Sequence, residues 1–301
     1  MKVVSVCSSD WANFAYNFSE SLKSVGVDSY SYCLNPHPFG YPKQSQVVSI
    51  GDLSDLTSDA DFVVLHHSCT EILPFINQSS LIHYAAGTKF RQEYKEVNNR
   101  LLPYVKATFI ALPEFQNLTP NYHYVVGAID TDYFNEPDFF RGCDGPVFGH
   151  YPSNPGVKGT NEIVQILAEK GVKYIHSTDR VSSEEQYKRM KQCDIYVELL
   201  ADTQAGKPYG SFGMTALEAA AMGKIVITQN NNDNGLYNET YGFCGLNFAK
   251  DADKLRRQID TFSNYSGDYL VGQMQVTKKW VVDNHSYKAT GERVLKILNS
   301  L

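Results

Sequence analysis

No stretch of the sequence reaches the roughly 18 uninterrupted apolar residues that a membrane-crossing helix needs, so no integral membrane segment is expected. The opening residues, Met1 to Asp10, are too short and too soon polar for a signal peptide. The six cysteines (Cys7, Cys33, Cys69, Cys143, Cys193 and Cys244) form no Cys-x-x-Cys pair and have no metal-spaced histidine nearby. They read as reduced thiols buried in or near strands, which suits a soluble, cytoplasmic chain and excludes a disulfide framework. In that compartment Asn-x-Ser/Thr tripeptides such as Asn77-Gln78-Ser79 carry no meaning. An excess of positive charge is missing too: 27 Lys and Arg stand against 33 Asp and Glu, a formal net charge of −6. That argues against a surface built for a long polyanion, so nucleic acid is not an expected partner. Tandem repeats are absent, and the sequence is silent on oligomeric state.

At 301 residues the chain is long for one doubly wound domain and comfortable for two. Short, near-continuous apolar runs recur at residues 2–8, 29–34, 61–66, 81–84, 107–112 and 122–126. Separated by polar or helical segments, they predict a parallel sheet covered on both faces. Trp11, Phe14, Ala15, Phe18 and Leu22 fall at helical spacing, and Gly26 stops that helix. A loop rich in Asp, Pro and Gly (135–146) reads as a linker. Beyond it the pattern repeats: a strand at 146–150, a helix capped by Thr160 or Asn161 and stopped by Gly171, and a strand at 172–176. A helix opened by the capping box Ser182-Ser183-Glu184-Glu185 follows, then strands at 193–197 and 224–229. The tail from Val276 reads as helical, with Trp280, Tyr287, Val294, Leu295 and Ile297 as its apolar positions. The expected class is α/β, with domains at 1–140 and 146–275, a helical segment at 276–301, and right-handed crossovers.

Chemistry concentrates in Tyr209–Lys224, a glycine-hinged loop running into a helix that starts near Met214. Gly210 and Gly213 permit close backbone approach, and the first helical N–H groups point back into the loop. Such an end binds anions. Glu218 lies three residues after Thr215 on the same side of the helix, so a phosphate seat with a carboxylate beside it would suit a nucleotide. The competing reading makes Thr215-x-x-Glu218 a capping box in which Glu218 only satisfies the N-cap amide. The Pro152–Lys158 loop also leaves the carboxyl end of a strand, where ligands gather in such sheets. Lys158 is then either the seat's cation or a solvated lysine at the start of a helix. His83 is either a core histidine at a strand end or a cleft residue, and Arg91 faces solvent or an acceptor. His66 and His67 follow a strand directly and receive no role.

The segment His150-Tyr151-Pro152-Ser153-Asn154-Pro155-Gly156-Val157-Lys158-Gly159-Thr160 resembles the donor-side loop of family 4, GT-B-fold glycosyltransferases. Phe212-Gly213 followed by Leu217-Glu218-Ala219, Ala221 and Gly223-Lys224 is similar to the nucleotide-sugar motif of the same enzymes. Val126-Gly127-Ala128-Ile129-Asp130-Thr131-Asp132-Tyr133-Phe134 matches the signature that ends their first domain. His83-Tyr84 with Gly87-Thr88-Lys89 and Arg91 resembles their acceptor-domain turn, and Asn284-His285-Ser286-Tyr287 resembles their tail. The marks run through nearly the whole chain in order.

The resemblance implies two Rossmann-like doubly wound domains facing a cleft, with the last helix crossing back to the first domain. It implies a retaining transfer of sugar from a nucleoside-diphosphate donor, UDP- or GDP-linked, to a hydroxyl on a glycan, lipid-linked or small-molecule acceptor. Lys158 and the amides around Gly213, Met214 and Thr215 would neutralise the leaving diphosphate, and Glu218 would hold the ribose hydroxyls. Ser153, Gly159, Ser211 and Phe212 would complete the nucleotide-sugar site; Asp10, Trp11, His83 and Arg91 would line the acceptor side, with His83 at the reacting centre. No cofactor or metal is implied: no Asp-x-Asp element reads as a metal site, and Asp130-Thr131-Asp132 belongs to the linker signature. Three positions depart from the family. Gly210 stands where it places a first glutamate, Ser153 replaces a phosphate-binding arginine, and Ser8–Asn13 replaces a Gly-Gly turn. Two other readings follow: a non-catalytic nucleotide-sugar or glycan binder of the same fold, and an enzyme of that fold with another reaction, such as a nucleic-acid-base glycosyltransferase, a phosphorylase or an epimerase.

Overall fold

The computed structural model describes residues 1–135, 145–201, 203–204, 207–209, 211–229 and 235–301. Most of the proposed linker, and Gly210, lie outside the described residues. The chain divides into two compact units, Met1–Ala128 with His285–Leu301, and Ile129–Asn284.

The first unit runs β1 (Lys2–Ser9), α1 (Phe14–Lys23), β2 (Asp28–Asn35), β3 (Gln46–Val47), α2 (Leu53–Thr57) and β4 (Phe62–His66). It continues with β5 (Leu81–Ala85), α3 (Gly87–Leu101), β6 (Val105–Ile110) and β7 (Tyr122–Tyr124). All seven strands are parallel, in the order β3-β2-β1-β4-β5-β6-β7. The apolar runs become strands because they are buried on both faces: every residue of β4 and of β5 is buried. The helix expected from Trp11 starts later, at Phe14. Ala12 and Asn13 take left-handed φ values of 58° and 56°, so Trp11 stays in a tight turn, 53% exposed, while Phe14, Ala15, Phe18 and Leu22 are buried.

The second unit runs β8 (Phe148–His150), α4 (Pro155–Lys158), α5 (Thr160–Glu169), β9 (Tyr174–His176), α6 (Ser183–Met190) and β10 (Ile195–Val197). A short hairpin, β11 (Thr203–Gln204) with β12 (Lys207–Pro208), precedes α7 (Met214–Ala221) and β13 (Ile225–Thr228). Then come α8 (Gly235–Tyr241), β14 (Asn247–Phe248), α9 (Ala252–Ser263) and α10 (Gly267–His285). Its parallel sheet has the order β14-β13-β10-β8-β9, so strand order reverses between β8 and β10. Phe148, Ile163, Ile166, Ile195, Val197, Ile225 and Ile227 form its core. Ser182 caps α6 as the sequence suggests, its hydroxyl accepting from the Glu185 amide at 3.2 Å.

The tail forms two helices, because Ser286 ends α10 and caps α11 (Tyr287–Leu298) through the Ala289 amide. Helix α11 belongs to the first unit and packs on α1. The Tyr287 hydroxyl donates to Asn17 Oδ1 at 2.9 Å, and Gly291 lies against the Ser21 carbonyl with no room for a Cβ. Gly291→Ala is therefore expected to cost about 2 kcal/mol by overpacking, despite alanine's better helix propensity. A thermal melt checks it, and an unchanged or higher Tm would contradict this packing.

Candidate functional site

Strand order reverses between β8 and β10, and the carboxyl ends of the strands at such a point are the usual ligand position of an open parallel sheet. Two segments leave the sheet there. After β8 the chain makes the loop that ends in Lys158 and Gly159. His150 fixes its root: Nδ1 lies 2.7 Å from the Val197 carbonyl, which can only accept, so Nδ1 donates and Nε2 accepts from the Thr160 hydroxyl at 2.9 Å. Burial, the first cause, lowers the His150 pKa to about 4 and keeps the ring neutral. Gly159 takes φ +68° and presses its Cα against the Leu200 carbonyl, so this position needs glycine for both conformation and space.

The second segment begins at Glu198, directly after β10, and this residue escaped the sequence reading. Its carboxylate is buried between the two loops. Oε1 accepts from Lys158 Nζ at 2.8 Å, from the Gly213 amide at 2.9 Å and from the Thr215 hydroxyl at 3.4 Å. Oε2 accepts from the Thr228 hydroxyl at 2.7 Å. Burial alone would lower the Lys158 pKa; the Glu198 carboxylate outweighs it and holds the ammonium well above its ordinary value. The only sequence signal was a charged residue closing a run otherwise buried on both faces.

Helix α7 starts at Met214 with Gly213 as N-cap, and no side chain caps it. Thr215 is thus its second residue and Glu218 its fifth, too far along for the capping box that was the competing reading. The amides of Met214 and Thr215 have no acceptor among the described residues. Neither has the Glu218 carboxylate a hydrogen-bond donor among them, although Glu218 is only 7% exposed. Burial, and then the charge of Glu198, raise the Glu218 pKa to about 7. Phe212 is buried edge-on to Tyr237 and Trp280, anchoring the loop, and Ser211 is buried beside it. Ser153 is exposed on the β8 loop. The fold therefore joins Lys158, Gly213 and Thr215 through Glu198 and sets Glu218 one turn further along α7.

In the first unit, Asp10 leaves the carboxyl end of β1 and is 1% exposed. Its oxygens accept from the Ala15 amide at 2.7 Å, the Tyr16 amide at 3.0 Å and the Ser45 hydroxyl at 2.8 Å, closing the start of α1. Burial pushes this carboxyl up, but His67 and these donors together hold it below the usual range. His83 is a core histidine: burial lowers its pKa to about 3, and Nε2 lies 3.0 Å from the Ser68 hydroxyl. Arg91 corrects an expectation. It is 3% exposed and donates to Glu114 at 2.7 Å, so it faces neither solvent nor an open acceptor surface.

Among the described residues no group of three His, Cys, Asp or Glu side chains could hold a metal ion, and no helix is long and apolar enough to cross a membrane. No family model and no curated protein matches the sequence. Solved structures do. HepE of Anabaena in complex with UDP-glucose superposes with a TM-score of 0.71 over 100% of both chains, at 11% identity. A glycosyltransferase of Rickettsia africae gives 0.62 over 99% of this chain and 98% of that one, at 13% identity. Sucrose-phosphate synthase of Thermosynechococcus elongatus gives 0.60 over 100% and 99%, at 10%. The chain has the GT-B fold.

Glu218 gives this site a pH signature. Between the ordinary carboxyl value of 4.5 and about 7, the folded chain keeps a proton at Glu218 that the unfolded chain has lost. Stability from this group therefore falls as pH rises through that window, by about 3 kcal/mol in all. Glu218→Gln is expected to melt above the wild-type chain at pH 8 and level with it at pH 4.5. A difference that does not change with pH would contradict the assignment.

Proposed function

We propose that the chain is a glycosyltransferase that takes its sugar from a nucleoside-diphosphate donor and passes it to a hydroxyl acceptor. The observation carrying this reading is the buried Glu218 carboxylate, without a donor among the described residues, on a helix whose first amides find no acceptor among them and whose N-cap lies beside Lys158. A carboxylate accepts from paired ribose hydroxyls, and helix amides with an ammonium oppose phosphate charge. The two features stand along one short helix, in the order ribose and diphosphate require. The complexes of HepE with UDP and with UDP-glucose support the donor class through fold alone.

In this reading the glycosidic bond breaks as negative charge builds on the leaving diphosphate. The open Met214 and Thr215 amides meet that charge in place, and Lys158, paired with Glu198 in the free chain, adds to them as it turns to the phosphate; such stabilisation is usually the largest contribution available to a site of this kind. A divalent metal is then not required, and retention of configuration is proposed from the likeness to family 4. His83, 1% exposed and bound to the Ser68 hydroxyl, is given no contact with the reacting centre in this reading. A UDP- or GDP-sugar is expected to raise the Tm without added divalent metal, and Glu218→Ala to weaken nucleotide binding at least about tenfold. Titration calorimetry in EDTA with UDP, GDP and their sugars tests this. No response to any of them from a folded chain would sink the reading, while binding without sugar turnover would reduce it to a non-catalytic binder.

A further inference from the structure

The anion seat of the second unit already holds an anion. Three donors converge on one oxygen of Glu198: the Lys158 ammonium, the Gly213 amide at the N-cap of α7, and the Thr215 hydroxyl. The other oxygen is tied by Thr228 at the end of β13. The Glu198 side chain is wholly buried, whereas Lys158 keeps 18% of its surface exposed, so the pair opens outward from the lysine. Gly213 also records the fit: a Cβ there would stand 2.8 Å from Glu198 Oε1 and 3.7 Å from Lys158 Nζ.

These contacts cancel the charge that a diphosphate would seek. An ammonium within hydrogen-bond distance of a buried carboxylate forms a neutral pair. What remains is the partial positive end of α7, about half an elementary charge. A ligand phosphate drawn to Lys158 must displace Glu198 or sit next to it, and two anions a few ångströms apart in a site of low effective dielectric repel strongly. The penalty grows with the charge on the ligand and vanishes for a neutral nucleoside.

Resting on the nucleotide-seat reading above, we propose that Glu198 is a specificity-determining residue: a resident anion that competes with the donor diphosphate for Lys158 and the α7 N-terminus. It weakens binding in proportion to phosphate charge. A spent nucleoside diphosphate, more negative than its sugar ester by the oxygen the departing sugar exposes, is thus disfavoured most. Glu198 thereby tunes the site to hold the donor and shed the product.

Glu198→Gln tests this, because glutamine keeps the shape and can still accept from Lys158 and Gly213 while the negative charge is gone. Calorimetry with uridine, UMP and UDP, and the guanosine series, reads the outcome. The variant is expected to bind the diphosphate about tenfold more tightly than the wild-type chain, the monophosphate by a smaller factor, and the nucleoside unchanged. If both proteins bind the diphosphate and the variant is equal or weaker, Glu198 only positions Lys158 and the inference is overturned. If neither binds any nucleotide, the nucleotide-seat reading fails and takes the inference with it. Should Glu198→Gln fail to fold, Thr228→Val releases the second carboxylate oxygen; a rise in diphosphate affinity without a change for the nucleoside supports the proposal, and no rise overturns it.

Discussion

The ion pair of Lys158 with Glu198 is the interaction around which the second unit's polar end is arranged. A buried pair of charges repays its desolvation only where every remaining donor and acceptor is met. For the carboxylate the neighbours supply that, through the Gly213 amide and the Thr215 and Thr228 hydroxyls, while the lysine keeps 18% of its side chain exposed. The neutral His150 clamp and the left-handed Gly159 hold the lysine's loop against the end of β10. Removing the lysine would strand a wholly buried carboxylate, whereas removing the carboxylate's charge would leave an ammonium that is still partly exposed.

The first unit solves a similar problem with different residues. Asp10, at the carboxyl end of β1, turns its carboxylate onto the amides of Ala15 and Tyr16 at the start of α1. In each unit a carboxylate leaving a central strand lies at the N-terminal end of a helix, beside the point where strand order reverses. The electrostatics differ. Asp10 is met by two backbone amides and the Ser45 hydroxyl with His67 Nε2 3.9 Å away, whereas Glu198 is met by the full ammonium of Lys158, which the proposed ligand would also claim.

The sheets were legible because a strand covered on both faces must be apolar throughout, and the runs at 62–66, 81–85, 195–197 and 225–228 are buried along their length. The starts of α6 and α7 were legible from Ser182 and from the glycines before Met214. Local pattern misled where backbone geometry intervened: left-handed Ala12 and Asn13 cut Trp11 from its helix, and Arg91 turned inward to Glu114. Glu198 was illegible for another reason. It stands 40 residues from Lys158 and 17 from Thr215, and only the register of β10 between β8 and β13 brings the three together.

The central claim is that the N-terminus of α7, with Lys158 and Glu218, seats a nucleoside diphosphate. The position of the phosphates tests it most directly, in a crystal of the chain grown with UDP or GDP. The account expects a phosphate within hydrogen-bond distance of Lys158 Nζ and of the Met214 or Thr215 amide, with ribose hydroxyls on Glu218. A nucleotide bound elsewhere, with Lys158 and Glu198 paired as they are in the free chain, would contradict it.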